Sequence, residues 1–179
     1  MEVSNSEFTE LGEQLVLPLF EGCDKPPNNS LSGLGRSQRS LVRDALSSGG
    51  FDGKEGRRMT LWTPGCNIIL VGMGAKDSLG HKRARNTGAR LIASMSKKKG
   101  LDVTVRFTSG WTSIRMLDFA EGMMLRDYEF LSHQELPENH IGDRWNVEFQ
   151  ASSRHQENLS EGLSTTHSVV GGVHLARDL

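Results

Sequence analysis

The sequence predicts an α/β fold, a three-layer α/β/α sandwich built on a mixed sheet, and three observations carry that expectation. Short, nearly unbroken apolar runs, QLVLPLF at Gln14–Phe20 and NIILV at Asn67–Val71, read as strands buried on both faces. Between the strands lie segments with apolar residues at helical spacing, the clearest being Ala84, Gly88, Leu91, Ile92 and Met95. The two patterns alternate in the order β-α-β-β-α-β-α-β, followed by the stub of one more helix, which is how helices layered on a sheet are written in sequence.

Taken in order, Gln14–Phe20 is the first strand, and Pro18, which cannot donate to a ladder, points to a strand end or an edge position. Gly22–Gly35, rich in Pro, Asn, Ser and Gly, is a loop. Ser37–Ser47 sets Leu41, Val42, Ala45 and Leu46 on one face of a short helix, with Ser37 as its cap and Gly49 or Gly50 ending it in the left-handed conformation. Gly50–Gly56 is a turn. Arg57–Thr63 alternates as a strand with Met59 and Leu61 facing one way, and Asn67–Val71 follows, running into Gly72-Met73-Gly74. The next helix spans Ser78–Lys99, capped by Asp77 or Ser78, with Lys97, Lys98 and Lys99 where the dipole favours cations and Gly100 as its stop.

Asp102–Phe107 alternates as a strand, Val103, Val105 and Phe107 inward, Thr104 and Arg106 outward. Ser113–Tyr128 is a helix with Ile114, Leu117, Ala120, Met124 and Tyr128 on one side. Leu131–Arg144 is polar and turn-rich, and Trp145–Phe149 is a last strand with Val147 and Phe149 on one face. Ala151–Thr166, polar with few apolar anchors, reads as a linker. His167–Leu179 turns apolar again through Val169, Val170, Val173 and Ala176 and fits a helix. The expected organisation is one domain over residues 1–150, then a linker and the start of a helix over 151–179.

Composition narrows the function classes. The chain has 179 residues and a net charge of −1, so nothing global points to nucleic acid, a membrane or a strongly charged substrate. A chain of this size buries roughly 70% of its extended surface, enough for a core without metal or disulfide support. No window approaches the roughly 18 continuous apolar residues of a membrane span. Met1–Glu10 is acidic and polar, unlike an export signal. Cys23 and Cys66, far apart and outside any CxxC spacing, read as free thiols of a cytoplasmic protein. Charge is uneven: seven Lys or Arg and no acid between Ser78 and Leu101, then ten acids against three arginines between Met116 and Glu161.

Each candidate site weakens on inspection. None of the six histidines (His81, His133, His140, His155, His167, His174) sits in an HExxH, HxH or His/Cys cluster, and His167 with His174, a heptad apart on a helix, would supply only two ligands. No GxSxG elbow is present, and neither cysteine has a catalytic context. Asp118 and Glu121, at i and i+3 on a helix, read as solvated acids; Glu121 lies nearer the inward stripe, where a hydrogen bond to backbone outweighs general-base work. Gly72-Met73-Gly74 follows a buried strand as a dinucleotide fingerprint would, but Asp77 stands where the third glycine belongs and an acid there opposes a pyrophosphate. The Lys82–Lys99 surface, with Arg36, Arg39 and Arg43, offers contacts for DNA phosphates but no interleaved aromatics; a solvated helix face is favoured. No catalytic, cofactor-binding or metal residue is assigned.

Five strings in order resemble the amino-terminal domain of the leucyl aminopeptidase family, peptidase family M17. LVLPLFEG at Leu15–Gly22 is similar to the family's first strand and its glutamate-glycine turn. LVRDAL and GGFDGKEG, within Leu41–Gly56, resemble its next helix and turn, and IILVGMGAKD at Ile68–Asp77 its strand and glycine turn. AEGMMLRDYEF at Ala120–Phe130 resembles the helix ending in a Tyr-x-Phe pair, and GGVHLARDL at Gly171–Leu179 the helix that opens the linker to the catalytic domain. Leu131–Thr166 departs from the family's strings.

The resemblance implies a macro-domain-like amino-terminal domain, ending just before the catalytic one. In the family, the two divalent metal ions (Zn or Mn), their ligands and the residues that polarise the scissile carbonyl lie in the carboxy-terminal domain, so none is carried over here. The parent would remove amino-terminal residues from peptides by two-metal hydrolysis, as a cytosolic homohexamer. Its amino-terminal domain, partnered by the catalytic domain and sister subunits, would aid assembly and limit access. In some bacterial members this domain helps bind DNA, and the macro-like fold offers an ADP-ribose-like ligand as the other binding-module alternative.

Overall fold

The computed structural model describes residues 1–6, 11–27, 29–95, 102–127 and 145–178. Six strands form one sheet: β1 (Glu2–Ser6), β2 (Gln14–Leu19), β3 (Arg58–Leu61), β4 (Asn67–Gly72), β5 (Asp102–Arg106) and β6 (Asn146–Gln150). Their spatial order is β1-β6-β5-β2-β4-β3, and every neighbouring pair is parallel except the edge pair β3–β4. The expected mixed sheet is therefore present.

Among the described residues four helices cover it, α1 (Arg36–Ser47), α2 (His81–Met95), α3 (Ser113–Arg126) and α4 (Gln156–Asp178). Alternation along the strands sorts them onto two faces. Leu15, Leu17 and Leu19 of β2, with Ile68 and Leu70 of β4, pack under Val42 and Leu46 of α1. Val16, Ile69, Val71, Val103, Val105, Val147 and Phe149 point the other way, into a larger core closed by α2, α3 and α4. All six residues of β2 are buried, as its unbroken apolar run predicts.

Several elements differ from the sequence expectation, each for a physical reason. Residues Glu2–Ser6, read only as a polar terminus, form β1, paired in parallel with β6. An edge strand needs few apolar residues, and Val3 alone packs against the larger core. Pro18 lies in an interior strand rather than at an edge, but next to its end, the other position expected for it. Pairing of β2 with β5 ends at Val16↔Val105, so the residue that lacks an N–H falls where only β4 is still alongside.

In α1 the cap is Gly35 rather than Ser37, with Gln38 Oε1 accepting the Gly35 N–H at 2.8 Å, and Leu41 is 45% exposed. Two anchors, Val42 and Leu46 at i and i+4, suffice to seat this helix. Helix α2 begins at His81, because Asp77 and Ser78 are taken up in a 3-10 turn, Lys76–Ser78; its expected inward stripe, Ala84, Gly88, Leu91, Ile92 and Met95, is buried throughout. The lysines at its expected end lie outside the described residues.

Helix α3 starts after Thr112, whose hydroxyl accepts the Arg115 N–H at 3.4 Å. Its inward side is Met116, Phe119, Ala120, Met123 and Met124, while Ile114 is 61% exposed and Leu117 half-buried. Tyr128 and the segment Leu131–Arg144 lie outside the described residues. Thr104 and Arg106, expected outward on β5, are buried at 1% and 0% exposure. Residues 156–166, expected as part of a linker, are helical and continue unbroken to Asp178 as α4. Leu159, Leu163 and Val170, at i, i+4 and i+11, make a sparse stripe that suffices because α4 needs to cover only α3 and the edge strand β1.

Helices α2 and α3 meet backbone to backbone through glycine. A Cβ on Gly88 would overlap the Phe119 carbonyl oxygen, and one on Gly122 would overlap the Arg85 carbonyl oxygen. The neighbouring atoms are main chain and cannot rotate away. The variant Gly122→Ala is expected to lose about 1–3 kcal/mol of unfolding free energy despite the better helix propensity of alanine, measured by urea titration; unchanged or raised stability would refute this close approach.

Candidate functional site

In a doubly covered parallel sheet, ligands favour the strand carboxyl ends where adjacent connections leave toward opposite faces. Here that place lies between β2, whose chain exits toward α1, and β5, whose chain exits into α3. The crevice is filled by aromatic side chains. Trp111 sits with its ring centroid 5.7 Å from that of Phe20 and 4.7 Å from that of Phe107, and Phe119 closes edge-on at 6.0 Å. Gly110, at φ +99°, lets Lys76 and Phe20 close over the same spot: a Cβ there would stand 2.9 Å from Lys76 Cε and 3.1 Å from Phe20 Cε2.

The glycines of the Gly72-Met73-Gly74 turn are explained by contact with the chain itself. A Cβ on Gly72 would overlap the Lys54 carbonyl oxygen, and Gly74 adopts φ +71°. The Gly74 N–H donates to the Gly53 carbonyl at 2.9 Å, and its own carbonyl accepts the Glu21 N–H at 3.0 Å. Helix α2 begins only at His81, so its amino terminus does not open directly from these glycines as a pyrophosphate site requires.

Beside the aromatic plug, at the ends of β5 and β6, lies an open cleft of about 300 Å³ lined by Asn29, Phe107, Thr108, Ser109, Met116, Ser152, Arg154 and His155. Its hydrogen bonds fix the histidine tautomer. Arg154 Nε donates to His155 Nε2 at 3.0 Å, so the ring proton sits on Nδ1 and is donated to Ser113 Oγ at 2.8 Å. The histidine thus gives a proton to the serine oxygen rather than drawing one from it, and the pair is no activated nucleophile. Burial, then the neighbouring Arg154 charge, holds the His155 imidazole below its ordinary value.

Behind the cleft Arg106 is wholly buried on the sheet face opposite the large core. Its Nε and Nη2 donate to Gln150 Oε1 at 2.9 and 2.6 Å, and its Nη1 donates to the Ser30 and Ser32 carbonyls at 3.2 and 2.7 Å. Gln150 Nε2 in turn donates to Glu148 Oε2 at 2.8 Å. Burial pulls the guanidinium down to about 10, partly offset by Cys66 and Glu148, so it remains charged at neutral pH. This network fastens the Pro- and Ser-rich loop before α1 to the sheet. Sequence alternation missed it because a parallel strand here buries both faces.

The acids and histidines weighed in the sequence are scattered. Asp118, expected to be solvated, is 7% exposed and bridges His81 Nδ1 at 2.9 Å and Arg115 Nη1 at 2.8 Å, tying the start of α2 to α3. Glu121 pairs with Arg85 at 2.7 Å instead of bonding backbone. Glu55 pairs with Arg83 at 2.9 Å. Two of the basic residues of α2 are thus already neutralised locally. His167 is exposed and His174 half-buried on α4, while His133 and His140 lie outside the described residues. Among the described residues no group of three or more His, Cys, Asp or Glu could hold a metal ion. Cys23 and Cys66 are free thiols, both held above the ordinary cysteine value chiefly by burial.

The architecture defines an α/β domain whose switch crevice is closed by its own aromatics. Comparison with known proteins gives the family. The model for the N-terminal domain of the cytosol aminopeptidase family matches residues 16–135, and the chain belongs to that family. Among solved structures, a mutant of tomato leucine aminopeptidase superimposes with a TM-score of 0.71 at 18% identity, covering 99% of this chain and 37% of that one. The bottromycin maturation enzyme BotP matches in complex with Mn (TM-score 0.55, 16% identity, 93% of this chain and 31% of that one). A second structure of the same enzyme gives a TM-score of 0.54 at 16% identity, covering 93% of this chain and 32% of that one. The chain therefore spans about a third of the length of these structures. No curated protein matches it in sequence.

The depressed His155 value has a consequence for stability. A histidine held below its unfolded value contributes stability that is complete above that value and lost as pH falls through the folded one. Unfolding free energy is expected to drop between pH 7 and pH 5, and His155→Gln to flatten that drop. Urea midpoints across the range measure it; identical slopes in both proteins would contradict the assignment.

Proposed function

We propose that the chain is the non-catalytic amino-terminal domain of a metal-dependent leucyl aminopeptidase, serving assembly and access control. The observation that carries this reading is coverage: nearly the whole chain superimposes on 37% of tomato leucine aminopeptidase. The parent would remove amino-terminal residues from peptides, as a cytoplasmic homohexamer whose two zinc or manganese ions sit in its other domain. The Mn complex of BotP supports a divalent ion in that parent. The described residues do not fit those ions, because they bring no three ligating side chains together.

On helix α4, Leu175 is 64% exposed beyond Val170, its last fully buried anchor, and Val169 beside that anchor is 56% exposed. The binding-module alternative, DNA or an ADP-ribose-like ligand, has less behind it. Arg83 and Arg85 are engaged by Glu55 and Glu121, and Phe20 and Trp111 occupy the crevice where a nucleotide would lie. No described helix is long and apolar enough to cross a membrane.

The chain is expected to release no leucine from leucyl-p-nitroanilide with added Mn²⁺ or Zn²⁺, and to give no salt-dependent shift with duplex DNA and no thermal shift with ADP-ribose. Metal-dependent release would overturn the non-catalytic assignment; a saturable response to DNA or ADP-ribose would replace the assembly role by the binding one.

A further inference from the structure

We propose that β3 is a dimerisation edge, where two copies of this chain pair antiparallel about a twofold axis at Thr60. Strand β3 ends the sheet, with β4 on one side and no described strand on the other. The ladder fixes which of its backbone groups face outward. The Gly72 N–H donates to the Arg57 carbonyl at 2.8 Å, and these two residues stand opposite each other in the register that sets Arg58 against Val71. By the alternation of an antiparallel pair, Met59 and Leu61 then exchange hydrogen bonds with β4. The N–H and C=O groups of Arg58 and Thr60 point away from it. Such an edge is a template for another strand unless something covers it.

The side chains of β3 match a second copy of themselves. Pairing centred on Thr60 sets Met59 of one copy against Leu61 of the other on the α1 face, both half-buried and apolar. On the opposite face it sets Arg58 against Trp62, which is 66% exposed, and a guanidinium over an indole ring is the most favourable cation–aromatic pair. Neighbouring registers are worse. A centre at Arg58 would oppose two guanidinium groups, and one at Trp62 would bring Pro64, which has no N–H, opposite Thr60. Helix α1 widens the contact. Gln38 Nε2 donates to Thr63 Oγ1 at 2.8 Å, so that flank of α1 lies along β3, and Leu41, three residues on, is 45% exposed there. Exposed apolar side chains thus flank both faces of one open strand. The pairing uses residues of this chain alone and stands or falls separately from the aminopeptidase reading.

Sedimentation velocity of the full chain, from micromolar to millimolar concentration, tests the edge. A concentration-dependent equilibrium between monomer and dimer is expected. Thr60→Pro removes the central donor of each copy at a position whose N–H β4 does not use, and should weaken the dimer by about tenfold or more. Trp62→Ala, which removes the aromatic partner of Arg58, should weaken it about tenfold. Urea midpoints check that both variants fold; where Thr60→Pro lowers its midpoint, Trp62→Ala on its exposed side chain decides alone. A monomer at every concentration overturns the proposal and leaves the edge to a strand of another polypeptide. A dimer whose dissociation constant the folded variants leave unchanged overturns it in favour of a different face.

Discussion

Burying β2 on both faces is the constraint that organises this molecule, because a strand with no solvent side obliges the chain to supply two separate apolar layers. Leu15, Leu17 and Leu19 take the layer under α1, and Val16 takes the layer under α2 and α3. The parallel neighbours β4 and β5 repeat the same demand, so connections must cross over the sheet and bring helices with them. Among the described residues one helix covers one face and three the other, and Phe107, Trp111, Phe119 and Phe149 pack together on the three-helix side.

The smaller layer cannot cover the whole sheet, and the chain resolves the remainder with polar chemistry. Beyond β2, the face opposite the large core carries Thr104, Arg106, Glu148 and Gln150 rather than leucine. A buried guanidinium is expensive unless its donors are satisfied, and Arg106 satisfies its donors through Gln150 Oε1 and two loop carbonyls. The loop that precedes α1 is held in place by this charge together with the buried side chains of Leu31 and Leu34. That same region borders the cleft through Asn29, so the network that stabilises the loop also shapes the rim.

Glycine is used where two backbones must touch. Gly88 and Gly122 bring α2 and α3 together, and Gly72 and Gly74 bring the end of β4 against the turn at Gly53–Glu55. A glycine pair after a buried strand thus marks close packing here, while the amino terminus of α2 starts seven residues further on, away from it. Helix α4 shows the same economy: Leu159, Leu163 and Val170 are its buried apolar anchors, and Gly162 lies close against Leu117.

The sequence by itself determined the α/β class, the central strands β2, β4 and β5, the inward stripe of α2 and the family. Those features are local in cause: apolar runs, helical spacing and short strings are fixed by neighbours along the chain. Tertiary structure alone decided that Glu2–Ser6 is a strand, that residues 156–166 continue a helix, and that Leu41 and Ile114 are exposed. It also decided that Arg106 and Asp118 are buried and paired, and that Thr108, Arg154 and His155 share a cleft. Each of these depends on partners tens of residues away: β1 exists because β6 offers an edge, and a sparse stripe becomes a helix only where α3 waits to be covered. A polar residue's burial is set by what folds over it, which no periodicity in its own segment records.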